Sequence, residues 1–272
     1  MACHPQSRPS LRIATGALLA ISLLLASCAT GDPHPPALPV CDPTPATSPR
    51  QLALVAGSGA ALAFARAALQ REPARVAASI GSRGAIAAVR AGAVDVGLSL
   101  RPGPADLVSH KLARVPLVLA VGGAWAGPPT RLASATAALH ARLATASPSP
   151  ASAVWVSREA GDSALRALAA ARPGLAAALS TARDRGLALV AYTDQEQHAL
   201  LAATPGAIGL VDLGTVRLTA APLRTFSPED PRLVLTLYAL TARDPGSRAR
   251  QTTRALRAFA ASEEARRAGY RE

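Results

Sequence analysis

Short apolar runs alternate with amphipathic helical stretches from about residue 51 to residue 272, and this alternation most constrains the fold. Short apolar runs bounded by turn residues are typical of strands in a buried sheet, and helices between them join parallel strands. The predicted strands span residues 52–56, 75–79, 94–99, 115–121, 153–156, 187–191, 207–211 and 233–240. The alternation therefore predicts an α/β fold with a largely parallel sheet.

Helical periodicity fills the segments between these strands. Residues 60–71 place Leu62 and Leu69 on one face, which is the pattern of a helix packed on a sheet. Thr193 and Glu196 have the spacing of a capping box at the start of another helix. Similar patterns predict helices over residues 84–90, 135–143, 163–170, 195–202 and 248–267.

Residues 1–27 have the layout of a secretory signal. Arg8 and Arg12 precede an apolar run over residues 17–26. The run is about half of the roughly 20 residues that a membrane-spanning helix needs. It ends in Leu25-Ala26-Ser27-Cys28, which resembles the lipobox of bacterial lipoproteins. The resemblance implies cleavage before Cys28 and a diacylglycerol and palmitate anchor on that residue, and the alternative is an ordinary signal peptide with a cysteine there by chance.

A Pro-rich tether is predicted over residues 28–50. Seven prolines lie between residues 29 and 50, without apolar periodicity, so this segment is expected to be extended and semi-rigid. Cys3 leaves with the signal and Cys28 would carry the lipid, so Cys41 has no partner within one mature chain. No intrachain disulfide is therefore expected.

The mature chain would be strongly basic. The sequence has 29 Lys and Arg against 17 Asp and Glu, and cleavage removes two basic and no acidic residues, which leaves 27 − 17 = +10. Such a charge suits nucleic acid, anionic lipid headgroups or an anionic small ligand. The basic residues are scattered and only 3% of residues are aromatic, so stacking platforms for bases are missing. Nucleic acid is therefore not expected as a partner.

Three turns that follow predicted strands bring glycine and serine together at the start of a helix. They are Ala56-Gly57-Ser58-Gly59, Ile80-Gly81-Ser82-Arg83-Gly84, and the segment 157–163. A helix N-terminus offers free N–H groups to an anion, and Arg83 would add a forked charged donor. Because open α/β sheets bind ligands at the carboxyl ends of their strands, the three turns together predict an anion site. The alternative for each turn is that its serine only caps the helix.

This arrangement resembles the phosphate-binding proteins of bacterial ABC transporters, within the type 2 periplasmic-binding-protein fold. The similarity runs over nearly all of residues 52–272, and its most specific parts are residues 79–86, 92–99 and 203–211. The resemblance implies two α/β lobes, each with a mainly parallel sheet flanked by helices, joined by crossing strands. Lobe one is expected over residues 51–121 plus 214–272, and lobe two over 122–213.

The resemblance also implies that an oxyanion is held in the cleft between the lobes. Ser58, Ser82 and Arg158 match ligand contacts of the family. The expected site also includes Gly59, Arg83 and Ser99 from lobe one and Ser163 from lobe two.

The predicted pocket departs from the family at several positions. Leu100 stands where the family has an aspartate that accepts a proton from hydrogen phosphate, and Asp162 and Ala164 replace two hydroxyl residues. A carboxylate at Asp162 would repel a dianion unless it points away to cap its helix. The alternatives left open are phosphate, a phosphate ester, a fully deprotonated oxyanion such as sulfate, molybdate or tungstate, and a pocket that has lost its ligand.

The sequence thus predicts a lipid-anchored, extracytoplasmic solute-binding protein that delivers an oxyanion to an ABC transporter permease, as a monomer without cofactor or metal. The alternative is a non-transporting sensor or scaffold lipoprotein with the same fold. An enzyme is not expected, because Ala56 and Ala60 stand where the G-x-S-x-G turn of hydrolases has glycine. The histidines lack metal-ligand spacing, and they are His4, His34, His110, His140 and His198.

Overall fold

The computed structural model describes residues 52–122, 131–145, 153–226 and 230–272. The predicted signal peptide, the lipid site Cys28 and the tether over residues 28–50 lie outside the described residues. Within the described ranges, no helix has both the length and the apolar character that crossing a membrane requires.

The strands and helices follow the predicted alternation. The strands are β1 Ala53–Gly57, β2 Ala74–Ser79, β3 Val96–Ser99, β4 Leu107–Gly122, β5 Val154–Arg158, β6 Ala188–Ala191, β7 Ala207–Asp212, β8 Leu223–Thr225 and β9 Val234–Ala242. The helices are α1 Gly59–Ala68, α2 Gly81–Arg90, α3 Leu132–Ala144, α4 Ser163–Ala171, α5 Pro173–Asp184, α6 Asp194–Ala203, α7 Leu213–Leu218, α8 Ser247–Ala260 and α9 Glu263–Ala268.

The strands form two parallel groups joined by two crossing strands. Their order is β2-β1-β3-β9-β4-β7-β5-β6, with β8 paired to β4. The pairs within β1–β3 and within β5–β7 are parallel, whereas β4 and β9 pair antiparallel with each other and with their neighbours β7 and β3. The first lobe is built on β1–β3 and the second on β5–β7, which confirms the predicted two-lobed α/β architecture. The exact boundaries at residues 121 and 213 stay a prediction.

Burial explains why the sequence adopts these strands. All four residues of β3 and all six of β7 are buried, so each strand appears as a continuous apolar run rather than an alternating one. An aromatic cluster fixes α1 to the end of the chain, because the ring of Phe64 packs edge-on against Phe259 at 5.0 Å and Tyr270 at 4.9 Å. The middle of α1 is therefore held by aromatic contacts with the C-terminal segment.

Several elements differ from the prediction, each for a local reason. β4 begins at Leu107 rather than at residue 115, because its partly exposed polar first half is stabilised by pairing with β9. The predicted helix over 248–267 is two helices, since Ser262 caps the second by accepting a hydrogen bond from Ala265 N at 3.1 Å. The sequence analysis missed α5, α7 and β8.

Candidate functional site between the lobes

A small cavity lies where the carboxyl ends of strands from both lobes meet. Its volume is about 10 Å³, enough for about one water molecule. Its lining comes from α1, from the crossing strands and from the ends of β3, β5 and β7. The lining residues are Ala60, Leu100, Leu117, Arg158, Asp162, Ala164, Asp194, Gln197, Leu210, Val211, Asp212 and Leu235.

Arg158 is the cation of this cleft. It is the last residue of β5 and is only 6% exposed. Its Nη2 lies 3.4 Å from Glu159 Oε2, and its Nε lies 3.6 Å from Asp162 Oδ2 and 3.9 Å from Asp194 Oδ1. These are ion-pair distances, and Nε and Nη1 make no hydrogen bond to any residue that the structure describes. A buried guanidinium with unused donors is costly, so the cleft retains the capacity to bind an acceptor.

Asp194 is the first residue of α6 and reaches across the cleft to the first lobe. A Cβ built on Gly59 would overlap its Oδ2, so the carboxylate rests against the first residue of α1. This oxygen has no hydrogen-bond partner within the described ranges. Burial raises the pKa of Asp194 to about 6, while the charge of Arg158 lowers it and the carboxylates of Asp162 and Glu159 raise it.

The position of α6 is fixed at its start and along its buried face. Half of the predicted capping box forms at its first turn: Thr193 Oγ1 accepts a hydrogen bond from Glu196 N at 3.0 Å, and Glu196 Oε2 accepts from Tyr192 N at 2.7 Å rather than from Thr193 N. One turn along, Gln197 Nε2 donates to Val156 O at 3.2 Å and to Leu210 O at 3.1 Å, and so ties α6 to β5 and β7. The first residue of α6 is therefore held over the cleft by a helix anchored to two strands.

Asp212 is a second buried acid of the cavity. It ends β7, is 4% exposed and caps α7, where its Oδ1 accepts a hydrogen bond from Thr215 N at 2.6 Å. Burial, and after it the charge of Asp194, raise the pKa of Asp212 to about 7, against the lowering effect of the hydrogen bonds from Thr215. Two acids with raised pKa values thus face one small cavity.

Two predicted contacts, Gly59 and Arg158, meet at the same carboxylate of Asp194. Ser58 precedes Gly59 as the N-cap of α1, but its side chain makes no capping hydrogen bond to a described residue. The N–H groups at the start of a helix have no partner within the helix. The start of α1 thus faces the cleft without being capped by its own serine.

The other predicted contacts do not line the cavity. Ser82 Oγ accepts from Leu100 N at 3.0 Å, and Ser99 Oγ accepts from Arg101 N at 3.2 Å. Arg83 is exposed on α2, and Ser163 Oγ accepts from Arg166 Nη2 at 2.7 Å. Their roles in ligand binding stay predictions.

Asp162 caps its helix and also faces Arg158. It is the N-cap of α4, and its Oδ1 accepts a hydrogen bond from Ala164 N at 2.7 Å. Its other oxygen lies 3.6 Å from Arg158 Nε, so the carboxylate adds negative charge to the cleft.

Among the residues that the structure describes, the lining and ion pairs of the cleft comprise one cation, Arg158, and four carboxyl groups, which belong to Glu159, Asp162, Asp194 and Asp212. The raised pKa values of the last two are the physical response to this excess, since neutral acids relieve both burial and repulsion. No group of three His, Cys, Asp or Glu residues in the described part of the chain is arranged to hold a metal ion.

Neither a known family model nor a curated protein matches the sequence. Among solved structures, the chain is similar to a protein assigned as a phosphate ABC transporter substrate-binding protein, with bound phosphate, from Clostridium perfringens. That similarity has a TM-score of 0.58 at 13% identity and covers 81% of this chain and 98% of the other. A reduced form of OxyR from N. meningitidis is also similar, with a TM-score of 0.54 at 12% identity over 80% of this chain and 97% of the other. At such identities the likeness establishes the fold, and it confirms the predicted two-lobed type 2 periplasmic-binding-protein fold.

Proposed function

We propose that this protein is a lipid-anchored extracytoplasmic receptor that captures an oxyanion, phosphate or a phosphate-like anion, between its two lobes for an ABC transporter. The observation that carries the proposal is Arg158, a buried cation whose Nε and Nη1 make no hydrogen bond within the described residues. It lies at the carboxyl end of β5, where open α/β sheets bind ligands. An oxyanion would accept its unused donors.

The start of α1 would supply the second half of the site. Gly59 has no side chain to block the approach of an anion, and Ser58 leaves the first-turn N–H groups free of a side-chain cap within the described chain. Because Arg158 belongs to the second lobe and Gly59 to the first, an anion bound by both would favour the closed arrangement. Ser58, Gly59 and Arg158 are therefore the contacts that the geometry favours.

The anchor and tether would place this receptor beside its transporter. A lipid on Cys28 would hold the chain, as a monomer, at the outer face of a bacterial membrane, and residues 28–50 would lift the lobes away from the bilayer. An extended tether of this length reaches roughly 70 Å. A permease partner is supported by the fold that the chain shares with a protein assigned to phosphate ABC transport.

The test is thermal melting of the full chain, purified in detergent, with phosphate, sulfate, molybdate, tungstate or glycerol phosphate. A true ligand at 100 times its Kd adds about 2.7 kcal/mol to the stability of the folded state. We expect one of these anions to raise the Tm of the wild type but not that of Arg158→Ala. The matched control is Arg254→Ala, an exposed arginine on α8, which should retain the shift. If none of the anions raises the Tm, the proposal is rejected.

A sensor or scaffold lipoprotein with the same fold is the second candidate. It is favoured by the carboxylate of Asp194, which already lies between Arg158 and Gly59, and by a cavity with room for about one water molecule. A cleft that closes on its own carboxylate needs no free ligand. The same melting series separates the candidates, because a scaffold would show no shift with any anion.

A further inference from the structure

We infer that Asp194 is an internal competitor for the anion site: its carboxylate takes the place of the free oxyanion, and the anion binds when this side chain withdraws, which protonation favours. The inference rests on the proposed function and assigns its regulation. It makes the cleft a receptor that captures its anion preferentially in acidic surroundings.

The contacts of Asp194 are those proposed for the ligand. Its Oδ2 rests against Gly59, and its Oδ1 lies 3.9 Å from Nε of Arg158. The carboxylate spans the cleft as a bound anion would, because Gly59 belongs to the first lobe and Asp194 to the second. The remaining cavity has room for about one water molecule, so a tetrahedral anion of five heavy atoms and this carboxylate cannot occupy the cleft together.

The charged groups around Asp194 determine whether the cleft attracts or repels an anion. The titratable and charged groups that act on it or on its cation come from β5, the loop before α4, the end of β7, α6 itself and the C-terminal segment. They are Arg158, Glu159, Asp162, Asp212, His198 and Tyr270. Only Arg158 among them is a permanent cation, so an ionised Asp194 both occupies this cation and repels a dianion. Loss of its charge would free Arg158 from the carboxylate that bridges the lobes.

Asp194 is expected to become protonated under mildly acidic conditions. Because burial raises its pKa to about 6, the carboxylate is mainly ionised at pH 8 and mainly protonated at pH 5. A protonated carboxyl has no charge to hold it beside Arg158, so it leaves the cleft more readily than an ionised one. Arginine side chains stay charged over this range. Burial lowers the pKa of His198, and the pKa of Asp212 is raised to about 7, so a pH dependence carried by either group would persist in the Asp194→Asn variant.

Calorimetric titration of the full chain with sulfate, in detergent at pH 5, 6.5 and 8, tests the inference. Sulfate remains a dianion throughout this range, so its own charge does not change. We expect the wild type to bind sulfate at least about tenfold more tightly at pH 5 than at pH 8, which is a difference of about 1.4 kcal/mol in binding free energy. Asp194→Asn should bind at least about tenfold more tightly than wild type at pH 8 and lose most of the pH dependence. Asp184→Asn, an exposed acid that ends α5, is the control and should behave as wild type.

The outcomes separate the inference from the proposed function. If wild type binds sulfate, Arg158→Ala does not, and Asp194→Asn binds no tighter than wild type at pH 8, the inference is overturned and the receptor proposal stands. If neither wild type nor Asp194→Asn binds sulfate, phosphate or molybdate, the proposed function fails and the inference fails with it. Asp194→Ser provides a second variant without the charge if the asparagine variant does not fold, and it should change affinity in the same direction.

Discussion

The carboxylate of Asp194 lies against the backbone of Gly59 across the cleft, at a distance that leaves no room for a Cβ on residue 59. The two residues begin helices of different lobes, α6 and α1. A side chain at position 59 would therefore act on the contact between the lobes as well as on the approach of a ligand. Asp194 Oδ2 therefore lies both in the proposed anion site and at the contact between the two lobes.

Gly59→Ala should destabilise the protein because the new methyl group would overlap Asp194 Oδ2. We expect a loss of no more than about 1 kcal/mol in the free energy of unfolding, measured with urea at pH 7, because the overlapping oxygen is the end of a side chain that can move. The loss should shrink in an Asp194→Ser background, where the overlapping oxygen is absent. Gly174→Ala is the matched control, since this first-turn glycine of α5 has open space around its Cα and should be neutral or slightly stabilised. An equal cost of Gly59→Ala in both backgrounds would contradict the steric explanation.

Arg158→Ala should lower stability more at pH 8 than at pH 5. The variant leaves Glu159, Asp162 and Asp194 without their shared cation. We expect a loss of about 1–3 kcal/mol at pH 8 from urea unfolding, because a partly buried charge left unpaired is costly. The loss should be smaller at pH 5, where Asp194 is mainly protonated. A loss that is the same at both pH values would show that Arg158 stabilises the fold by packing alone.

Asp212 should make the protein less stable as the pH rises through neutrality. Its pKa is raised from 3.8 to about 7 in the folded state. Between these values the folded state holds a proton that the unfolded state has released, so the contribution is fully present below about pH 4 and is lost above about pH 7.

Asp212→Asn removes this proton uptake while its side-chain oxygen can still accept the hydrogen bond from Thr215 N. From pH 5 to pH 8, the variant should gain about 2 kcal/mol in unfolding free energy relative to wild type. The lowered pKa of buried His198 acts in the opposite direction, but it is present in both proteins and cancels in the comparison. Parallel pH profiles for the two proteins would contradict the prediction.

Local signals predicted most of the fold. Strands such as β3 and β7 are continuous apolar runs between turn residues, and the capping box of Thr193 and Glu196 marked the start of α6. The first half of β4 escaped prediction because it is polar and is stabilised by its partner β9, which lies far away in the sequence. Pairing between strands that are far apart in the sequence cannot be predicted from the local pattern of apolar residues.

The candidate site was predicted in part, from residues that follow strands. Gly59 could be predicted because it belongs to a glycine turn after a strand, and Arg158 because it matches a ligand contact of the family that the sequence resembles. Asp194 and Asp212 were missed as site residues, since an acid at a helix start has the appearance of ordinary capping. Their role depends on the approach of α6 to α1 across the cleft, which no spacing within the sequence encodes.

Gln197→Ala should destabilise the second lobe and loosen α6. The substitution removes two buried hydrogen bonds, to Val156 O and Leu210 O, that join α6 to β5 and β7. We expect a cost of about 1–3 kcal/mol in urea unfolding. Gln195→Ala on the same helix is the control, because Gln195 is exposed and should be nearly neutral. Similar costs for the two variants would argue against Gln197 as the anchor of α6.

Cys28→Ser should release the protein from the membrane. The lipobox-like segment ends in Cys28, and a thiol is the group that would receive the lipid. In cells fed labelled palmitate, we expect the wild type to be labelled and to sediment with membranes, and the Cys28→Ser variant to be unlabelled and absent from the mature membrane-bound pool. Cys41→Ser is the matched control, since this cysteine lies in the predicted tether and should leave labelling unchanged. Labelling that survives Cys28→Ser, or a wild type that is secreted without lipid, would instead support an ordinary signal peptide and remove the anchor from the proposed mechanism.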